Sequence, residues 1–566
     1  MSSRALPQQS GSGPPASGNP AGQELLPEEE ELSPYRWIIL LGLVTAAILE
    51  ILDVTIVNVA LPQMAGNLGA TTDEIGWVAT GYILSNVVVL PMTAWLSTRF
   101  GRRRYLVASI LIFLAGSFFC GTSRTLPELI FWRIVQGSGG AALLSTAQAT
   151  IREIFPREQQ GMVQAIYAMG VIVAPTVGPT VGGWITDNYS WPWIFFVNLP
   201  IGAISVAILL AFLTDTKYSV KSTKIDWLGV GLLASGLGCL QYVLEEGNRD
   251  DWFESALILR LTVVSVVSLV CLVAWELSSR NKYPIVNFRV VRNRDLAAAL
   301  IIILSLGFAL YGGNFIFPLF AQNIMGFTPT VTGLLLMPGG IGSGLAALMC
   351  GRLLNGHTQL VHPRILIFAG FSLLVYSMWS LSHLTPESGE DVTRLSLLLR
   401  GIGLGMIFTP INLAAFSTLR GVEIAQGASM LNLMRQLGGS FGIAILGSYV
   451  QTQTAAHRTA LVGYIYPQNP ALQIRVAELT GALTAKGYSL PAAKQGAMAI
   501  VDMTVNRQAL TMAYNDGFLI VGITILVVAP LVFLLRRGPA IPGAPAASGR
   551  NGRGKSPDTA EPAHAS

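Results

Sequence analysis

The chain contains fourteen apolar runs, each of roughly 18–25 residues and long enough to cross about 30 Å of hydrocarbon as a helix. Their approximate limits are 37–61, 75–97, 105–122, 127–151, 161–185, 193–213, 227–245, 256–276, 296–322, 331–351, 365–384, 395–417, 426–450 and 515–535. Within lipid only helices and closed barrels satisfy the backbone, and these runs are too long and unbroken for barrel strands. Of the 566 residues, 52% are hydrophobic and 12% charged, with a mean hydropathy of +0.55. Water-soluble domains would leave that apolar surface uncovered, so the fold class expected is an all-α polytopic membrane protein.

The net charge of +5 does not point to nucleic acid, because the basic residues are dispersed between the apolar runs. They cluster at Arg99–Arg104, at Lys217, Lys221 and Lys224, and from Arg280 to Arg294. All three lie on one side if the spans alternate, which predicts both termini in the cytoplasm. Residues 1–35 and 538–566 are rich in Gly, Pro, Ala and Ser and read as disordered cytoplasmic tails, the first with no cleavable signal. The segment 451–514 is a long polar connection of helical character on the outer face. It reads either as a passive cap or as a docking surface for a periplasmic partner.

The four cysteines lie within or beside apolar runs, none at CxxC spacing, so no disulfide framework or zinc site is expected. The five histidines fall in polar segments, none mid-helix, and no metal site or cofactor is expected. Two internal echoes are present. "LIFWRIVQGSGGAAL" of the fourth span resembles "SLLLRGIGLGMIF" of the twelfth, and the basic loop after the second span resembles the one after the tenth. The implied organisation is a six-helix bundle over 36–213, an inserted pair over 214–295 and a second six-helix bundle over 296–537.

Three stretches carry mechanism. The loop Leu96–Arg104 supplies Arg99, Gly101, Arg102 and Arg103 in a tight basic turn. The fifth span carries small residues every four positions, Gly170, Ala174, Gly178 and Gly182, followed by Gly183. Such a stripe permits close helix approach, and Pro175 and Pro179 within it remove backbone donors. "LEILDVTIVNVALP", "RIVQG" and "WPWIFFVNLPIG" complete the set. Together these residues resemble the EmrB/QacA-like drug:proton antiporters of the major facilitator superfamily, in the fourteen-helix branch closest to the EmrB subgroup. In the loop motif, Ala94 and Thr98 stand where Gly and Asp are usual, which removes an acidic latch. The resemblance implies a hinge and seal between the halves at the fifth span. It also implies hydrophobic drugs, dyes, uncouplers or fatty acids as substrates, and the proton gradient as energy source. An EmrA-like periplasmic adaptor and a TolC-type outer-membrane channel are the implied partners.

Ionisable residues at membrane depth mark pathways. Asp53 and Glu50 share a face of the first span. From the rise per residue, Asp53 and Arg133 lie at similar depth, roughly 9–12 Å below the outer edge, and are expected to face one cavity. Asp53 is the expected proton carrier, with Glu50 a second acid; the alternative is a static Asp53 that neutralises Arg133. Asn58, Gln136, Asn314, Asn432 and Tyr82 are expected to line the same cavity. Arg435 is either held by a backbone carbonyl, the reading favoured, or available to an anionic substrate. The function expected is proton-coupled export across a bacterial inner membrane. The alternative is a major facilitator transporter dedicated to a single metabolite or lipid-like compound. An enzyme would need a nucleophile–base cluster at bilayer depth, and the sequence shows none.

Overall fold

The computed structural model describes residues 34–214, 225–281, 284–354, 361–466 and 468–535. The predicted tails, but for residues 34 and 35, and the Lys217, Lys221 and Lys224 cluster lie outside the described residues. The described chain is helical, in the order α1 (Arg36–Leu68), α2 (Trp77–Phe100), α3 (Arg102–Thr122), α4 (Leu126–Ile154), α5 (Gln160–Asn188), α6 (Trp193–Phe212), α7 (Trp227–Glu246), α8 (Ala256–Leu277), α9 (Arg294–Asn323), α10 (Pro329–Leu353), α11 (Pro363–Leu381), α12 (Glu390–Phe416), α13 (Val422–Val462) and α14 (Leu490–Leu534). Twelve of these are long and apolar enough to cross a membrane. The other two, α4 and α13, are more polar but at 29 and 41 residues exceed the length needed. Arg133, Gln136 and Gln148 of α4 and Asn432, Arg435 and Ser440 of α13 are buried in the bundle.

One bundle is built from α1–α6 and a second from α9–α14. Close approach within and between them relies on side chains being absent. A Cβ on Gly401 of α12 would lie 1.8 Å from the Gly339 carbonyl oxygen of α10, so these two backbones touch. The bundles meet along the whole length of α5 and α10. Thr180, Thr176, Met169 and Gly161 of α5 face Gly333, Gly340, Gly344 and Gly351 of α10 in turn.

The inserted pair α7–α8 bridges the other seam. α7 sets Tyr242 against Trp77 of α2, the rings tilted with centroids 5.6 Å apart, and its Gln241 donates to Ser440 of α13 at 2.8 Å. Beyond it, Trp252 donates to Ser448 of α13 at 3.0 Å.

Two differences from the expected spans concern α13 and α14. Both run well past the predicted limits, with a helix Pro470–Ala485 between them. At 41 residues α13 is about 60 Å long, roughly twice the hydrocarbon thickness. Nothing interrupts it: residues 451–462 hold neither Pro nor Gly, so the helix continues where the hydropathy falls. His457 therefore sits inside a helix, contrary to expectation, and bonds Asp516 of α14 at 2.8 Å. Arg458 pairs with Asp502 at 2.7 Å, stapling the two projecting helices together.

Candidate functional site

Asp53 lies on α1, fully buried, at the point where α1, α4 and α6 meet. Its Oδ2 accepts from Arg133 Nη1 of α4 at 2.5 Å, and its Oδ1 accepts from Gln136 of α4 and Asn198 of α6, both at 2.9 Å. Arg133 is also held by the Val78 carbonyl at 3.0 Å and Gln136 Oε1 at 2.9 Å. Its guanidinium lies 4.3 Å from the centre of the Tyr82 ring and 5.7 Å from that of Phe195. Asn198 is positioned by its second donor contact, to Ser117 at 3.0 Å. The helices close in on this centre because α4 reads Gly137-Ser-Gly-Gly140 there. A Cβ on Gly137 would fall 2.3 Å from the Tyr82 carbonyl oxygen, and one on Gly140 would fall 2.5 Å from the Tyr82 hydroxyl.

A buried ion pair is tolerated only where its remaining lone pairs and protons are satisfied, and here they are. The pair and its two amide partners tie α1, α4 and α6 together at one buried point.

Glu50, one turn away, is buried in a different setting. Its oxygens accept from Asn86 of α2 and from the Leu144 backbone N–H of α4, both at 3.1 Å. Glu50 is thus held within its own bundle by α2 and α4, separately from the bonds of Asp53.

Between the bundles lie two adjoining cavities. One holds about 320 Å³ of empty space, that open to solvent included, and is walled by α5, α9, α10 and α12. Its polar lining is Thr176, Asn314, Ser343 and Arg400. The other, about 230 Å³, shares Ile172, Leu310 and Leu404 with it and adds Arg435 among apolar neighbours. A π turn at Phe308–Gly312 of α9 brings the Leu310 carbonyl and Asn314 to Arg400.

The single cavity expected from the sequence is in fact several environments. Gln136 and Tyr82 belong to the Asp53 centre. Asn314 and Arg435 line the spaces between the bundles. Asn432 is instead part of a seam contact: it and Asn412 of the second bundle bond Gln148 of α4 at 3.0 and 2.7 Å. Asn58 is exposed on α1, away from all of these. Equal depth along a helix does not fix the direction a side chain faces. Arg435 also departs from the favoured reading. No carbonyl holds it, and its Nε and Nη1 are buried without a hydrogen-bond partner among the described residues. Asn198 and Arg400 were not singled out in advance. The signals available were a lone amide in the sixth apolar run and the echo that aligns Arg400 with Arg133.

The small-residue stripe of α5 faces α1 of its own bundle. Gly178 lies against Thr55 and Gly182 against Ile56, and α5 stays continuous through Pro175 and Pro179. Contact with the opposite bundle uses the other side of α5, and the glycines that allow it belong to α10. Gly170, Ala174 and Pro175 are buried with the stripe, while Pro179 and Gly183 are half-buried.

In the basic loop, Gly101 has φ +87°, which breaks the chain between α2 and α3 in a conformation that side chains disfavour. Arg99 occupies the last turn of α2. Arg102 is buried in an ion pair with Glu153 of α4, and Arg103 donates to the Leu210 carbonyl of α6 at 2.5 Å. Thr98 stands where an acid was expected to latch the loop; Glu153 supplies the carboxylate for Arg102 from α4.

The sequence profile described as Major Facilitator Superfamily matches residues 43–443. The fatty acid resistance protein FarB of Neisseria gonorrhoeae is 32% identical over 88% of this chain and 96% of its own length. The multidrug export protein EmrB of Haemophilus influenzae is 34% identical over 77% of this chain and 84% of its own. Among solved structures, the proton:xylose symporter XylE shares the fold with a TM-score of 0.54 at 13% identity, over 88% of this chain and 95% of that one.

Proposed function

The chain belongs to the Major Facilitator Superfamily, and on that premise we propose that it exports hydrophobic or amphiphilic small molecules in exchange for protons by alternating access. Drugs and fatty acids, named for the EmrB and FarB relatives, are the cargo classes this reading takes over. The observation that carries it is the Asp53–Arg133 pair, a buried carboxylate whose protonation would remove the charge that balances Arg133 and so weaken the contact between α1 and α4. Its placement against the α1–α5 packing, which in turn abuts α10 of the other bundle, links the proton to the seam. No further cofactor is invoked, and the protein acts as a transporter, without covalent chemistry on its cargo. The Lys and Arg distribution supports both termini in the cytoplasm, and the bacterial origin of the EmrB and FarB relatives supports placement in a bacterial inner membrane. The projecting helices of α13 and α14 then stand on the periplasmic side, in reach of an adaptor that leads to an outer-membrane channel.

The test is transport in sealed proteoliposomes under an imposed pH difference, with a lipophilic dye and a long-chain fatty acid as cargo. The wild type is expected to move cargo against the proton flow, and Asp53→Asn to lose that coupling while remaining folded. Full coupled transport by Asp53→Asn, or none by the wild type across a broad lipophilic panel, ends the proposal.

A further inference from the structure

The three side chains bonded to Asp53 differ in what they can offer it. A carboxylate only accepts hydrogen bonds, whereas a carboxylic acid also has one to donate. Arg133 carries donors alone. Gln136 has an acceptor, but its Oε1 is taken by Arg133 Nη1 at 2.9 Å and by the Cys120 thiol at 3.7 Å. Asn198 stands apart. Its Nδ2 donates to Asp53 Oδ1 at 2.9 Å and to Ser117 Oγ at 3.0 Å. Its Oδ1 is buried without a hydrogen-bond partner among the described residues. The side chain is fully buried, so bulk water does not reach that oxygen.

Half a turn of this amide puts Oδ1 where Nδ2 stands, facing Asp53 Oδ1 and Ser117 together. Ser117 can follow, because its hydroxyl proton, now on the Phe195 carbonyl at 2.9 Å, rotates to suit its neighbour. The amide nitrogen then takes the place the oxygen leaves. One end of Asn198 lacks a partner in either orientation, and a buried polar group without one costs free energy in both. Turning therefore exchanges one cost for another of the same kind instead of adding to it.

We propose that Asn198 is a positioning residue for proton uptake, which donates to the Asp53 carboxylate and, turned over, accepts from the Asp53 acid. The proton comes from solvent and forms an O–H bond at Asp53 Oδ1; Asn198 keeps both of its own protons and exchanges only hydrogen bonds. The other charged and titratable groups around the centre are Arg133 of α4, Cys120 of α3 and Tyr82 of α2. Glu50 lies one turn along α1 on its own donors, and Tyr167 of α5 is bonded to the Leu144 carbonyl. The inference rests on the reading of Asp53 as the proton carrier.

The test is infrared difference spectroscopy between neutral and acidic pH on the purified full-length protein in liposomes, its asparagines labelled with carbon-13 at the side-chain carbonyl. Protonation of Asp53 shows as a carboxylic-acid band present in the wild type and missing from Asp53→Asn. Together with that band, an asparagine amide carbonyl is expected to move to lower frequency, because an idle oxygen becomes an acceptor. The move should be absent from Asp53→Asn and from Asn198→Leu. Asn198→Gln, which keeps an amide but carries no label, makes the same assignment should Asn198→Leu fail to fold. An amide that only loses its carboxylate acceptor would leave the carbonyl unmoved or raise its frequency. An acid band with no downward move, or with one that the Asn198 variants retain, overturns the proposal and leaves Asp53 as the carrier. A wild type with no such acid band overturns the proton-carrier reading, and this inference with it.

Discussion

Arg133 and Asp53, eighty positions apart in the chain, meet at 2.5 Å in a centre from which solvent is excluded. The contact ties α4 to α1, and its two members are not independent. Removing one partner of a buried pair leaves an uncompensated charge and costs about 3–5 kcal/mol, whereas neutralising both costs much less. Arg133→Gln alone should therefore lower thermal stability in detergent more than Arg133→Gln combined with Asp53→Asn. A loss in the double variant equal to the sum of the losses of Arg133→Gln and Asp53→Asn alone would show that the pair is not energetically coupled.

Gly178 tests the α1–α5 packing. A Cβ there would lie 2.0 Å from Thr55 Oγ1. Gly178→Ala should cost about 1–3 kcal/mol through overpacking, and Thr55→Ala should recover part of that loss. Thermal unfolding of the two single variants and the double variant measures the coupling.

The seam contact of Gln148 with Asn412 and Asn432 holds the bundles together at the end that carries the Arg99–Arg104 loop. Gln148→Leu removes two hydrogen bonds, together worth roughly 1–3 kcal/mol. The equilibrium should shift at least about fivefold toward forms open at that end. Spin labels at the exposed positions Arg104 and Arg420 would report this as a longer distance population. An unchanged distribution would mean that other contacts hold the seam.

Arg102 and Glu153 form the buried ion pair that anchors the basic loop to α4. Arg102→Met should destabilise the protein by about 3–5 kcal/mol because Glu153 loses its counter-charge. Adding Glu153→Leu should restore much of that loss. Denaturant or thermal unfolding of the three variants checks it.

Some of this was legible before any coordinates. Apolar length marked the spans, because the bilayer imposes about twenty residues on a helix wherever one crosses. The rise per residue placed Asp53 and Arg133 at one depth, expected to face one cavity; they are in direct contact, and neither lines the two cavities described. Asn58 and Asn432, expected in the same cavity, lie elsewhere. The same reasoning left Arg400 as an echo rather than a site residue.

What the sequence by itself determined about this protein is one-dimensional: which stretches enter the membrane, and how deep each polar residue sits along its helix. What only the tertiary structure decided is rotational. Whether Asn432 turns to Gln148 or to a cavity, and whether the α5 stripe meets α1 or α10, depends on how each helix is rolled against its neighbours. That roll is set by contacts between residues far apart in the chain, such as Gly401 against Gly339, and a local pattern does not contain them.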